Sequence, residues 1–537
     1  MPSTHLRLSL LATGCLALLT SQPVGSAAGL AAVTVVGPVA NTSALGDHAH
    51  GYPFNATPMD LAKQGYVEEE FFISGVASRY NTPQMATGTA TDGGHPYKTR
   101  IVVRRPKSQS RFNGTAIVEW TNVSQGHDNE VDWFQSGAHL VHSGFAWIGV
   151  SAQRVGVDAL KQWSPVRYGT LDVSDGGTIA DDALSYDIFT AAARAVRGRD
   201  GASVMGSLKV ERLIATGHSQ SAGRLYTYFT SVHPLALASD GPTFDGVVLH
   251  GGGGQIRTDL DIKVWKFLSE TDVPGQASAS RQPDTDRFRW WEVAGTSHLD
   301  AQLSRGLGQL GLRAAGGAPV DGPPTGPLIS GGGAGIGNFQ VPSAAPNEGC
   351  EKPIFSRVPS YYAQNALYDH FARWLKDGTP PPTAPHIELK QLPGNPPAGA
   401  AGPGGAGARA GGARGGAPAP EGDAPAARGG RGGPTAPPRF EIIRDELGNA
   451  LGGIRLSQHA VPTATNTGQN AGGMFCGLLG SYEPFDTARL SALYPTHDAY
   501  VAKVKEVTEK NLKAGYIVKE DADATIAEAR SSRIGRK

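Results

Sequence analysis

Short apolar runs rich in Val, Ile, Phe and Trp alternate along much of the chain with segments whose apolar residues fall at helical spacing. The runs 66–80, 99–104, 115–120, 146–151, 212–216, 246–250, 263–268 and 289–293 predict eight strands. Between the fourth and fifth, Leu184, Ile188, Ala191, Ala192 and Val196 lie on one helical face and predict a helix over 181–196. A second helix is expected over 222–231. Buried-type strands alternating with helices imply a doubly wound α/β fold, a mostly parallel sheet covered on both faces.

Two regions break that rhythm. Residues 1–27 combine His5 and Arg7 with an apolar stretch from Leu8 to Leu19 and small residues at Gly25 and Ala27, the layout of a cleaved export signal. Cys15 follows Ala-Thr-Gly, but a lipoprotein box would carry Leu where Ala12 stands, so lipidation is not expected. From Pro393 to Pro438 there is no Val, Ile, Leu or aromatic residue, and such a segment cannot offset its ordering entropy by burial. The organisation expected is therefore a signal peptide (1–27), a core (28–392) with a Gly/Pro-rich loop at 316–347, a disordered low-complexity insertion (393–438), and a C-terminal extension (439–537) packing on the core. In that extension a helix is expected over 496–514, with Asp498 near its start and Gly515 closing it.

The charge balance narrows function. The 537 residues carry 48 Lys+Arg against 48 Asp+Glu, and a neutral chain does not suit a nucleic-acid partner, whose phosphates shed their counterions when a basic face neutralises them. The repeated Arg-Gly-Gly at Arg428 and Arg431 resembles RNA-binding tails, but in this context it reads as a solvated linker. No apolar run reaches the roughly 20 residues of a transmembrane helix. Cys350 and Cys476 remain after the signal. In an oxidising compartment they either pair or stand as two buried thiols.

The chemistry concentrates in three places. Arg212-Leu-Ile-Ala-Thr-Gly-His-Ser219-Gln-Ser-Ala-Gly223 reads as a strand, a sharp turn and a helix start, with Ser219 on the turn. Gly217 is the small residue such a turn needs on one side. Ser221 stands where glycine is commoner on the other, and Gly223 is expected to let the helix approach the sheet. A nucleophilic serine requires a base and an orienting carboxylate, in the chain order acid then histidine, each just beyond a later strand. Lys263 to Asp272 is a strand ending in Glu270 and Asp272; Arg289 to His298 is a strand ending in a small-residue turn and a histidine. His298 is the candidate base and Asp272 the preferred acid, with Glu270 as the alternative. The oxyanion would be met by the backbone N–H of Gln220 and by the loop after the third strand, at Asn122, Val123 and Ser124. His127, His218 and His250 fall near this site as structural or substrate-contacting groups, and Trp120 and Trp133 as core aromatics or substrate contacts. No metal-ligand spacing is present and no cofactor is expected.

These pieces resemble the α/β-hydrolase superfamily and, more closely, a bacterial, often exported family labelled alpha/beta hydrolase domain. The resemblance rests on Val118–Ser124, Gly149–Gln153, Gly217–Gly223, Ser269–Asp272, Ala294–His298, Trp374–Gly378, Asp445–Arg455 and Tyr494–Asp498, which keep the family order over nearly the whole mature chain. It implies serine-hydrolase chemistry through Ser219, His298 and Asp272 or Glu270. The expected reaction is hydrolysis of a small-molecule or oligomeric carboxylic ester through an acyl-enzyme. Amide cleavage or acyl transfer by the same triad, or a non-catalytic binding module on the same fold, are the alternatives.

Overall fold

The computed structural model describes residues 32–201, 203–236, 242–319, 349–393, 439–473 and 475–536. The expected signal peptide with Cys15, nearly all of the 316–347 loop and the low-complexity segment after residue 393 lie outside the described residues. Nine strands form one sheet: β1 Thr34–Val36, β2 Tyr66–Asn81, β3 Thr89–Pro106, β4 Thr115–Trp120, β5 Ala146–Val150, β6 Arg212–His218, β7 Gly246–His250, β8 Lys263–Ser269 and β9 Phe288–Val293, in the spatial order β1-β2-β3-β5-β4-β6-β7-β8-β9. The first three pairings are antiparallel and those from β5 through β9 are parallel.

Eight of these strands are the eight expected from the apolar runs. The ninth, β1, is a three-residue edge strand on β2, with Thr34 opposite Ser74. β3 also begins ten residues earlier than expected, at Thr89. Its first half, Thr-Ala-Thr-Asp-Gly-Gly-His-Pro, is largely exposed and polar on both faces, so it owes its extended form to pairing with β2 rather than to burial.

Strands β4 to β7 and β9 are buried along their whole length, which explains why their sequences are mostly apolar. The helices divide between the two faces. Successive residues of a strand point oppositely: Glu119 accepts hydrogen bonds from Asp132 N and Trp133 N at the start of α1 (Val131–His142), whereas Trp120 packs on Phe189 of α2 (Ser185–Val196). Helix α2 starts later than its periodicity suggests because Asp182 is used elsewhere, accepting from Arg154 N, Gln153 Nε2 and Arg224 Nη2. After β6 come α3 (Gln220–Thr227) and, further on, α4 (Ala301–Ala314) and α5 (Ser360–Asp377).

The later chain forms two small antiparallel pairs, β10 Leu389–Gln391 with β11 Phe440–Ile442, and β12 Ala464–Thr467 with β13 Ser481–Pro484. It joins the sheet where Ile454 bridges Val293 at the end of β9. Helices α6 (His497–Ala514) and α7 (Lys519–Ser531) follow. Thr496 caps α6 through its hydroxyl, with Asp498 in the first turn and Gly515 at φ 77° ending it. Cys350 and Cys476 form a disulfide, their Cα atoms 5.5 Å apart, within a buried cluster that includes Ile354, Phe355 and Leu479. Among the described residues no helix is long and apolar enough to cross a membrane.

Candidate active site

Ser219 lies between β6 and α3 with φ 61° and ψ −116°, a conformation that L residues rarely adopt and that lifts the side chain out of the strand direction. The chain can turn this sharply because its flanking residues are small. A Cβ on Gly217 would fall 3.0 Å from both Leu225 Cδ1 and Ser221 Cβ. Ser221 is accommodated because its hydroxyl, fully buried, donates to Thr121 O at 3.2 Å. Gly223 does not play the expected part: a Cβ there would meet nothing within 4 Å, so helix packing does not require glycine at this position. The Ser219 N–H donates to His250 O at 2.8 Å, tying the turn to the end of β7.

The two carboxylates that end β8 have separate surroundings. Asp272 Oδ1 lies 2.6 Å from His298 Nδ1, and its Oδ2 accepts from Ser269 N at 2.9 Å and Ser269 Oγ at 2.7 Å. Burial works to raise the Asp272 pKa, but the His298 ring and the Ser269 donors outweigh it and hold the carboxyl below its usual range. An ionised carboxylate only accepts, so Nδ1 carries a proton, and in the neutral form of the ring the free lone pair is that of Nε2. Glu270, also fully buried, is turned away from this contact. It accepts from Gly295 N at 2.7 Å, Gly468 N at 3.0 Å and Arg444 Nη2 at 2.7 Å.

His298 is set by the turn that follows β9. Thr296 Oγ1 donates to Val293 O, His298 N donates to Thr271 Oγ1, and Gly295 adopts φ 77° where a Cβ would lie 2.3 Å from His459 Nδ1. The His298 ring lies 4.3 Å, centroid to centroid, from that of His218, the residue preceding Ser219. His218 in turn lies 4.5 Å from His250, whose Nδ1 is 3.0 Å from Asp132 Oδ1. Burial, reinforced by the neighbouring imidazoles, pushes His218 well below the usual histidine range, so it stands neutral beside His298. His127 is elsewhere, buried against Phe54, and Trp120 and Trp133 are core residues whose indole N–H groups donate to Gln153 and Thr57.

The loop after β4 differs in detail from expectation. Asn122 N–H is used by Asn129 O at 2.9 Å, and Ser124 N–H by the Asn122 side chain at 2.9 Å. Neither backbone donor is therefore available to a ligand. Val123 N–H has no partner among the described residues. Gln220 N–H opens α3, whose amino-terminal end favours negative charge. Asn122 instead acts through its side chain, donating from Nδ2 to His218 O at 3.0 Å. This fastening, and the one between Ser221 and Thr121, escaped sequence reasoning because each joins side chain to backbone across neighbouring strands. The Arg444–Glu270 pair escaped it for a different reason, since 174 residues separate the partners. Among the described residues no cluster of His, Cys, Asp and Glu could hold a metal ion.

A largely parallel sheet of this order, with a serine on the sharp turn after a central strand and an Asp–His pair beyond two later strands, is an α/β-hydrolase fold. The chain belongs to the alpha/beta hydrolase domain family, whose model matches residues 35–527. A comparison with curated proteins gives no match. Among solved structures the chain is similar to an α/β serine hydrolase without lid from Xanthomonas campestris (14% identity over 36% of this chain and 72% of that one, TM-score 0.21). It is similar too to a carboxylesterase from Lactobacillus plantarum (10% identity, 36% and 72%, TM-score 0.23) and to the rice cell wall degrading esterase LipA from Xanthomonas oryzae (11% identity, 35% and 43%, TM-score 0.21).

Proposed function

We propose that the protein is an exported serine hydrolase that cleaves a carboxylic ester through an acyl-enzyme. The observation that carries this reading is the 2.6 Å Asp272–His298 pair, with the His298 ring 4.3 Å from that of His218, the residue before Ser219 on its strained turn. His298 Nε2 takes the proton from Ser219 Oγ as the oxygen attacks the acyl carbon. The oxyanion that forms is met by Gln220 N–H and Val123 N–H, two fixed donors of the kind worth a few kcal/mol each. His298 then gives its proton to the departing alkoxide, leaving the acyl group on Ser219. Water, deprotonated by the same imidazole, attacks the acyl-enzyme, and the acid leaves as Ser219 regains its proton. Asp272 orients the imidazole and stabilises its charged form throughout. No step calls for a cofactor.

Export accords with the signal-like residues 1–27 and with a Cys350–Cys476 bond that an oxidising compartment maintains. In the same reading the segment after residue 439 is an extension of the core that supplies support to the acid–base pair.

The experiment is intact-mass measurement after treatment with a fluorophosphonate, together with hydrolysis of a short p-nitrophenyl acyl ester. A single adduct and ester turnover are expected, both lost in Ser219→Ala with the fold intact. A Ser219→Ala protein that keeps most of its turnover would overturn the assignment.

A further inference from the structure

Next to the site lies a buried cation that the reaction scheme does not use. Lys266, in the middle of β8, is fully buried. Its Nζ donates to Gly253 O at 2.8 Å, Gly254 O at 3.0 Å and Gln276 Oε1 at 3.0 Å, and it stands 4.9 Å from the ring centre of Trp290. No carboxylate meets it within hydrogen-bond distance among the described residues. Burial pushes its pKa down to about 7, with Asp272 acting in the opposite direction. A lysine kept where its charge is this costly, with neutral acceptors alone, asks for a reason other than stability.

The two carbonyls it holds belong to the glycine turn after β7, Gly251-Gly-Gly-Gly254, and this turn touches both halves of the site. A Cβ on Gly252 would lie 2.6 Å from Ser219 O. On Gly251, at φ 63°, it would lie 3.1 Å from the His218 ring and 3.2 Å from His298 Cε1. The turn thus packs against both the backbone of the serine turn and the edge of the His298 ring, at a separation that leaves no room for a side chain. Four consecutive glycines have the largest conformational freedom to lose, so a turn of this composition needs an external anchor to hold one shape. Lys266 grips its far end.

Resting on the hydrolase reading above, we propose that Lys266 is a positioning residue for that reaction: its buried ammonium pins the Gly251–Gly254 turn, and the pinned turn sets the spacing between Ser219 and His298. It touches no reacting atom and works through the turn alone.

The test is a double-mutant cycle on the full chain with Lys266→Met, which removes the anchor, and Gly252→Ala, which pushes the turn off Ser219 while leaving the anchor in place. Each single variant is expected to lower kcat for a p-nitrophenyl ester by roughly ten- to a hundredfold, with KM within about threefold, since a misplacement of about 1 Å costs this much. The double variant is expected to lose no more than the worse single one, because both act on one turn. Unchanged kcat in Lys266→Met overturns the proposal, and so do losses that multiply in the double variant. Should Lys266→Met fail to fold, Lys266→Gln replaces it in the cycle, and failure of both to fold would assign the lysine a purely structural role and overturn the proposal. Fluorophosphonate labelling of the unmodified protein at Ser219 runs alongside. Its absence would sink the hydrolase reading itself rather than the part given to Lys266.

Discussion

The turn that carries Ser219 is braced from adjacent strand ends, through Asn122 on His218 O and Ser221 on Thr121 O, whereas the turns that carry Asp272 and His298 have local braces at Ser269 and Thr271 and are tied in addition to the chain after residue 439. There Arg444 and Gly468 hold Glu270, Glu270 holds Gly295, and His459 closes on Gly295. Leu299, next to His298, donates to Leu478 O beside the disulfide. The serine turn is thus held within the sheet, while the turns bearing Asp272 and His298 are held also by residues far along the chain. The same local chemistry, a carboxylate accepting from buried donors, serves orientation at Asp272 and assembly at Glu270.

The largest effects should come from separating those two carboxylates. Asp272→Asn presents an amide to Nδ1 and favours the wrong tautomer, so kcat should fall by about 10⁴-fold, the scale for a triad carboxylate made into an amide, with the melting temperature little changed. Glu270→Gln should do the reverse. Its amide N–H₂ would oppose the N–H donors of Arg444, Gly468 or Gly295, and breaking such a buried pair costs about 3 kcal/mol, the low end of the range because Arg444 is 22% exposed. Its kcat in the folded fraction should stay within about tenfold of the parent. Steady-state kinetics and thermal melts of both variants check the contrast; a Glu270→Gln protein as inactive as Asp272→Asn at unchanged stability would erase it.

A smaller effect tests the serine half. Asn122→Ala removes the bond to His218 O and the side-chain acceptor of Ser124 N–H, leaving the Val123 segment held by backbone hydrogen bonds alone. One such lost hydrogen bond costs about 1 kcal/mol of stability. The expected signature is a fall in kcat of roughly tenfold with KM unchanged, because the donor that drifts is needed only when the oxyanion forms. A rise in KM at constant kcat would show instead that the loop contacts substrate in the ground state.

The contrast also explains what could be read in advance. Strands β4 to β9 were legible because burial on both faces favours runs rich in β-branched and aromatic residues, and the turns carrying Ser219, Asp272 and His298 because each follows such a run in a set order. The edge strand Thr34–Val36 was not, since three residues carry no period, nor was the polar start of β3, which is extended only through its partner. Asp182 misled the start of α2 because its carboxylate serves the segment at Arg154 rather than its own helix. At the site, the choice between Glu270 and Asp272 turns on Arg444 and Gly468, and nothing near either acid in sequence reveals those partners.

The smallest expected effect concerns the segment between the core and the chain that braces the acid–base half. Strands β10 and β11 pair antiparallel, Leu389 opposite Ile442 and Gln391 opposite Phe440, and Leu392 N donates to Arg439 O at 2.9 Å. The chain therefore leaves at Leu392 and returns at Arg439 as the two sides of one hairpin. Replacing 393–438 with Asn-Gly, the pair that best suits a two-residue hairpin turn, keeps this register. Loop-closure entropy changes by only about 0.6 kcal/mol for each doubling of length, so shortening should leave stability unchanged or raise it by about 2–3 kcal/mol. Ester turnover should equal that of the parent, because the bracing of Glu270 by Arg444 begins just beyond the hairpin and is untouched. Thermal melting and kcat/KM of the shortened protein measure both. A loss of turnover at full stability would mean that the removed segment acts on the site directly, and that the acid–base half relies on more of the distant chain than Arg444, His459 and Gly468.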